Sequence, residues 1–264
     1  MSSEGSAGPR TSGRREPPRF RRVLVRAFEQ LTPRMQRIVL GGPELQGFEV
    51  PEPASSVRLL LPPPGGDTLV MPEWDGNQFK LPTGERAPIR TFTPRHLDTE
   101  RLELTLDIVV HEGGVASEWA RSAEPGLEAA VSGPGRGYAL AATAPAYLLA
   151  GDETAIPAIS QMLERLPAET PVRVHIEVAD ASARLELPSY PKAEVTWHEL
   201  APGSRPGDAL VAAVEAIEQI PGAAWVAGEA ASVQRIRKHL FDVRGMARSA
   251  ATVRGYWKMG RSAT

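Results

Sequence analysis

Near residues 141–146 the hydrophobic periodicity changes from strands alone to strands alternating with helices, and no other feature limits the fold as strongly. Upstream, over about 20–140, apolar residues alternate or run over strand-like lengths at 23–28, 35–40, 57–61 and 102–110. Between Leu61 and Pro88 the stretches PPPGGD, PEWDGN and LPTGER carry turn chemistry that allows a hairpin at most. Downstream of Pro145, strands are expected at 147–150, 172–178, 195–197, 224–227 and 252–256, with helices at 156–166, 209–217 and 232–241. That alternation calls for a parallel sheet with helices on both faces. No internal repeat is present. The expected organisation is a disordered tail over 1–17, an all-β domain over 18–142 and an α/β domain over 143–264.

A chain of 264 residues exceeds the usual domain size of about 100–150 residues, so its length allows two domains or one large one. No stretch approaches the roughly 20 consecutive apolar residues of a membrane span, so a protein without membrane insertion is expected. The net charge of −2 gives no general field for nucleic acid, and an anionic partner would have to meet a local basic cluster. Cysteine is absent, which removes disulfides, thiolate nucleophiles, Cys-ligated zinc and iron–sulfur clusters. Redox chemistry would therefore need a bound organic cofactor. The five histidines are scattered without an HxxxH or HExxH pair, so no protein-built metal site is expected. The first 17 residues are rich in Ser, Gly, Pro and Arg and lack the apolar run of a signal peptide, and a cytoplasmic location follows as an expectation.

Four segments carry candidate chemistry. In RTFTPR, Arg90 offers a guanidinium for a pyrophosphate, Phe92 a flat face for a ring and Thr93 a hydroxyl for a ring nitrogen. Strand alternation puts Arg90 and Phe92 on one face. An edge strand with solvated arginines would read the same way. The strand ending at His111 runs into Glu112, Gly113 and Gly114, then Val115, Ala116 and Ser117, a turn that opens a helix whose amides suit an anion. A plain turn with a serine cap is the alternative. Gly151, Asp152, Glu153 and Thr154 end the first strand of the α/β half, where such folds bind nucleotides, and Pro157 sits where a first helical turn tolerates it. This is not the GxGxxG pattern, and an ordinary strand-to-helix turn also fits. Gly228 and Glu229 repeat the arrangement at a later strand end facing the same crevice.

Taken in order, RTFTPR, DIVVHEGGVASEWA, SGPGRGY, YLLAGDETAIPAI, WVAGEAASVQRIRKHL and GYWKMG resemble the siderophore-interacting protein family, a branch of the ferredoxin reductase-like flavoproteins. The resemblance runs from Arg21 to Gly260. It implies a six-stranded antiparallel Greek-key barrel that holds FAD, a following Rossmann-like parallel α/β domain, and reduction of ferric siderophores to release Fe(II). By the same resemblance Arg90 contacts the FAD pyrophosphate, Phe92 stacks on the isoalloxazine, Thr93 bonds near N5, and Thr91 belongs to the same cofactor-binding run. Asp107, Val109 and His111 fall on the next flavin-contacting strand, Ala116 and Ser117 at the pyrophosphate helix, and Thr154 beside the flavin and the nicotinamide. Gly151, Asp152 and Glu229 fall at the nicotinamide crevice. Phe92 departs from the family's usual Tyr: the stacking face stays and a hydroxyl is lost.

Ferric triscatecholates are anionic, and Arg58, Arg136 and Lys258 are the candidate cations for a basic substrate pocket. Trp257 either covers the flavin or packs the final strand, and packing is the preferred reading. No side chain is expected to act as a catalytic acid, base or nucleophile, because electron transfer belongs to the cofactor. The donor is NADH or NADPH, with ferredoxin as the rival and a non-catalytic siderophore carrier as a further one. Arg184 would suit a 2′-phosphate and Asp180 a ribose hydroxyl, so the residues point both ways. A monomer is expected.

Overall fold

The computed structural model describes residues 19–66, 68–141 and 143–260, and the tail over 1–17 lies outside them. The first half contains β1 (Arg21–Thr32), β2 (Met35–Gly41), β3 (Val57–Leu60), β4 (Glu73–Trp74), β5 (Phe79–Lys80), β6 (Ile89–Phe92), β7 (Pro94–Asp98), β8 (Glu103–Val109), the short helix α1 (Val115–Arg121) and β9 (Glu128–Ser132). Seven strands form one antiparallel sheet in the order β6-β3-β9-β1-β2-β8-β7. Its two edge strands, β6 and β7, are joined by the single residue Thr93. A sheet whose opposite edges are consecutive in the chain must curl until they meet, and the result is a half-barrel. Counted as one strand broken at Thr93, β6 and β7 reconcile the seven segments with the six-stranded barrel the sequence implied.

Alternation along the strands fills the half-barrel. Val23 and Val25, Ile38 and Leu40, Val57 and Leu59, and Leu104, Leu106 and Ile108 point inward and are buried, with Trp119 of α1 closing one end. Each such side chain contributes about 1.5–3 kcal/mol on removal from water. The Pro- and Gly-rich stretch after β3 does form the hairpin its turn chemistry allowed, with Trp74 opposite Phe79 across β4 and β5.

The second half alternates β10 (Tyr147–Asp152), α2 (Ile156–Arg165), β11 (Val172–Val178), β12 (Ala193–Glu199), α3 (Asp208–Glu215), β13 (Ala223–Glu229), α4 (Ala230–Lys238) and β14 (Ala251–Trp257). The five strands are parallel in the order β12-β11-β10-β13-β14. Strands buried on both sides become continuously apolar. Leu148 and Ala150 of β10 meet Leu210 and Val214 of α3 and Val233 of α4 on one face, whereas Tyr147 and Leu149 meet Ile159 and Met162 of α2 on the other.

The half-barrel sits on α2. Met35 and Ala54 join the core around α2, and Leu31 and Val109 pack against it. Gln161, 4% exposed, accepts from the Ala54 amide at 2.9 Å and donates to the Pro94 carbonyl at 2.7 Å. Arg95 pairs with Glu164 at 2.5 Å, and Arg34 Nε donates to both carboxylate oxygens of Glu153 at 3.0 Å. Gln161→Leu is expected to strand a buried amide and a buried carbonyl, at about 1–3 kcal/mol each, and denaturant unfolding will read the loss.

On the α3 side, His175 Nδ1 lies 3.0 Å from His198 Nε2, and the His175 Nε2 atom is buried without a partner among the described residues. Burial, with His198 and Arg173 nearby, lowers His175 from an ordinary 6.5 to about 4. A base depressed by folding stabilises the fold fully above its unfolded value, and that contribution disappears as pH falls from about 6.5 through about 4. The full effect is on the order of 3 kcal/mol. His175→Phe is expected to flatten the fall in stability between pH 7 and pH 4, measured by denaturation at each pH.

Candidate functional site

In the order β12-β11-β10-β13-β14 the winding reverses between β10 and β13, so a crevice opens beyond their carboxyl ends. Asp152 closes its floor. Oδ1 accepts from the Thr154 amide at 2.9 Å and from Thr154 Oγ1 at 2.5 Å, while Oδ2 accepts from the Glu229 amide at 3.0 Å and from Trp257 Nε1 at 2.7 Å. One carboxylate thereby ties together the ends of β10, β13 and β14. Burial pushes the Asp152 carboxyl above its usual range, against the pull of these donors.

Glu229 caps α4, with Oε2 accepting from the amides of Ala231 at 2.7 Å and Ser232 at 3.0 Å, and Oε1 accepting from the Met259 amide at 3.2 Å. Burial raises its pKa, but the amides of Ser232, Met259 and Ala231 outweigh that and hold it below the usual range. Both acids that the sequence placed at the crevice are thus engaged by donors of the chain itself, and they shape the crevice. Close packing at these strand ends demands glycine: a Cβ on Gly151 would come within 2.6 Å of the Ala227 carbonyl oxygen, and Gly228 combines φ +154° with the Asp152 carboxylate 2.7 Å from any Cβ.

Across the seam, β6 pairs Phe92 with Val57 and Arg90 with Leu59, so both side chains share the face of those core residues. Phe92 packs against the half-barrel core. Arg90 is half-buried, and Nη1 donates to the neighbouring Ile89 carbonyl at 2.9 Å. Desolvation lowers its pKa, and no carboxylate among the described residues lies within 4.0 Å of it. Thr91 is exposed and stands opposite Arg58, which in turn stands opposite Ser132. Arg58 therefore projects from the face of the sheet opposite to Arg90. Thr93 is 7% exposed, and its hydroxyl lies 3.4 Å from the Tyr256 hydroxyl of β14. This contact links the broken barrel strand to the strand-end crevice.

The other sequence candidates occupy varied settings. Asp107 is bound bidentately by Arg37 on β2, at 2.7 and 2.8 Å, and Val109 faces the seam. His111 donates its amide to Ser117 Oγ at 3.0 Å, so the buried Ser117 hydroxyl is taken up inside the turn. Helix α1 begins at Gly114 with no side-chain cap, and Ala116 lies in its first turn. Arg136 and Lys258 are exposed, with Lys258 directly after Trp257. The sequence reading missed Tyr256, Arg37 and the Arg34–Glu153 pair, and for Trp257 it weighed covering the flavin against packing the final strand without finding its bond to Asp152. The GYWKMG segment contained the signal for Tyr256 and Trp257, since a phenol and an indole N–H that are half-buried at a strand end need partners.

A desolvated guanidinium without an acidic partner, an aromatic ring on the same face and an uncapped helix start are what a pyrophosphate-bearing flavin requires, and FAD fits this set. Residues 24–138 match the family model described as siderophore-interacting FAD-binding domain, and residues 144–260 match the one described as siderophore-interacting protein. A siderophore utilization protein from T. fusca shares the fold with a TM-score of 0.83 and 34% identity, over 94% of this chain and 96% of that one. The ferric vibriobactin reductase of Vibrio cholerae is 32% identical over 86% of this chain and 84% of its own. The NADPH-dependent ferric-chelate reductase of Escherichia coli is 32% identical over 90% and 93%.

Asp152→Asn turns an NH2 toward donors that the carboxylate now accepts. Losing the bonds from Glu229 and Trp257 is expected to destabilise the crevice by about 1–3 kcal/mol, read by denaturant unfolding, with a change in Trp257 fluorescence.

Proposed function

The chain belongs to the siderophore-interacting protein family, and we propose that it is an FAD-dependent reductase that takes electrons from NADH or NADPH and releases iron from a ferric siderophore as Fe(II). The supporting observation is the Thr93–Tyr256 contact at 3.4 Å, which brings the strand carrying Arg90 and Phe92 against the crevice formed by Asp152, Thr154 and Glu229. A flavin-type face and a dinucleotide-type crevice then lie side by side. The names of the Vibrio cholerae and Escherichia coli relatives support the substrate class, and the latter supports NADPH.

Bound FAD supplies the division of a two-electron hydride donor into single-electron transfers, which side chains cannot perform. The residues orient and exclude. Arg90 and the first amides of α1 near Ala116 and Ser117 would hold the pyrophosphate. Phe92 would offer its face and Thr93, beside Tyr256, its hydroxyl to the ring system. Thr154 is locked by two bonds to Asp152, so the loop that meets the nicotinamide is ordered before it binds. Lys258, directly after Trp257 at the crevice, attracts the anionic ferric chelate, whereas Arg58 projects from the sheet face opposite Arg90 and Arg136 lies beside the start of β14. Fe(II) holds hard oxygen ligands less tightly than Fe(III), and release therefore needs no protein ligand.

Arg184 is paired with Glu199 at 2.7 Å, and Asp180 is turned onto its own Ser182 amide at 2.8 Å. A 2′-phosphate would have to compete with Glu199 for Arg184, so the NADPH reading rests on the relative's name. Ferredoxin as donor is the second reading, favoured by the single glycine at Gly151 where a dinucleotide fold usually carries several. Among the described residues no helix is long and apolar enough to cross a membrane, and we place the reaction in the cytoplasm, carried out by a monomer.

The purified protein is expected to absorb near 450 nm, to bleach anaerobically with NADH or NADPH, and to recolour on adding a ferric siderophore with a ferrous trap. A colourless protein that takes up no FAD would overturn this in favour of a carrier, and bleaching by reduced ferredoxin alone would change the donor. Arg90→Gln is expected to weaken FAD binding by at least about tenfold, the equivalent of roughly 1.4 kcal/mol. Thr93→Val should keep FAD and slow iron reduction; full activity would remove the hydroxyl from the mechanism.

A further inference from the structure

Where the start of β14 meets the loop after β9, Arg136, Arg237, Arg248 and Arg254 line an open groove of about 470 Å³ with Phe241, and Glu52 is its one carboxylate. We propose that this groove binds a small multivalent oxyanion, a molecule carrying two or more phosphate or carboxylate groups.

Charge is the first argument. Four guanidiniums face one carboxylate in a chain whose net charge is −2. None of the four lies within 4.0 Å of a carboxylate among the described residues. Like charges gathered in a concavity repel unless something of opposite sign enters it.

The second argument is how the cations are held. Arg237 and Arg248 rest on the Phe241 ring, at 5.8 and 5.3 Å from its centroid. Arg254 donates to the carbonyls of Arg136 at 3.0 Å, Gly137 at 2.8 Å and Ala54 at 3.3 Å. A ring face and carbonyl oxygens fix a guanidinium in place and leave its charge intact. The planar forks of Arg237 and Arg248 are then ready for bidentate contacts with phosphate or carboxylate oxygens, Arg254 adds its charge from the wall, and the hydroxyls of Ser249 and Thr252 line the same space. Its volume is that of a small-molecule site.

The groove is separate from the crevice at the strand ends. It takes residues 251–254 of β14, and Lys258 lies four residues past Arg254, about 13 Å along an extended strand. Its walls come from both halves of the chain, the 136–139 loop on one side and α4 with β14 on the other. An occupant would join them.

Isothermal titration of the FAD-loaded protein with pyrophosphate and, separately, with citrate tests this without nicotinamide or iron, so its failure leaves the reductase reading untouched. Saturable one-to-one binding of either is expected, at least about tenfold tighter than that of inorganic phosphate; the tighter of the two tells a phosphate ligand from a carboxylate one. The double variant R237Q/R248Q should weaken it at least about tenfold with unchanged flavin absorbance. R136Q, which leaves the Phe241 stack intact, should weaken it in the same direction and guards against misfolding of the double variant. No binding of either anion, phosphate binding as tight as pyrophosphate, or equal affinity in both variants would overturn the proposal.

Discussion

Helix α2 is buried on every side over its first eight residues. Ile156 to Leu163 are all buried, because the parallel sheet lies beneath them and the half-barrel above. A helix in this position cannot keep a polar stripe unless each polar group finds a partner. Gln161 meets that requirement by bonding to the Ala54 amide and the Pro94 carbonyl, both on the half-barrel. The apolar contacts around it have no direction of their own; the amide does. It fixes Pro94, and with it the break at Thr93, against the second half of the chain.

From that fixed point the crevice follows. Thr93 reaches Tyr256 on β14, and the next residue, Trp257, donates to Asp152. Asp152 in turn holds Thr154 and the amide of Glu229. Beside them Glu153 accepts from Arg34 and from the Ala179 amide at 2.8 Å, binding the end of β11 and the β1–β2 turn to the same loop. A displacement of α2 would therefore reach every strand end around the crevice through short, directional bonds.

Much of this was legible locally. The change of period near residues 141–146 gave the two halves, and the strand and helix placements after Pro145 lie close to the elements found, because propensity and apolar spacing act over a few residues. β12 runs from Ala193 to Glu199 where only 195–197 read as strand, since Glu194, His198 and Glu199 are polar and carry no apolar signal at this sheet edge. The break at Thr93 was not legible, as it arises from closing the sheet. Nor were the partners. Asp107 reads as a candidate ligand contact until Arg37, seventy residues earlier in the chain, is found on the adjacent strand. Asp152 and Glu229 were found as crevice residues, but that both are saturated by backbone and indole donors depends on three strands ending together.

The arginines make the same point with more force. In sequence Arg34, Arg37, Arg95 and Arg254 are equivalent cations, and only the RTFTPR pattern sets Arg90 apart. In the fold the first two and Arg95 are neutralised by Glu153, Asp107 and Glu164 and act as fasteners. Arg90 and Arg254 are held by carbonyl oxygens and keep their charge. A neutral partner does not by itself mark a binding site: Arg21 rests on Phe48 and on the carbonyls of Glu44 and Gln46 as a single charge at the end of β1. What distinguishes Arg90 is that it is desolvated as well as uncompensated, and what distinguishes Arg254 is that three more uncompensated guanidiniums share its groove. In both places the fold carries an electrostatic cost that an anion would relieve, and a chain of net charge −2 has carboxylates to spare elsewhere with which it could have removed that cost.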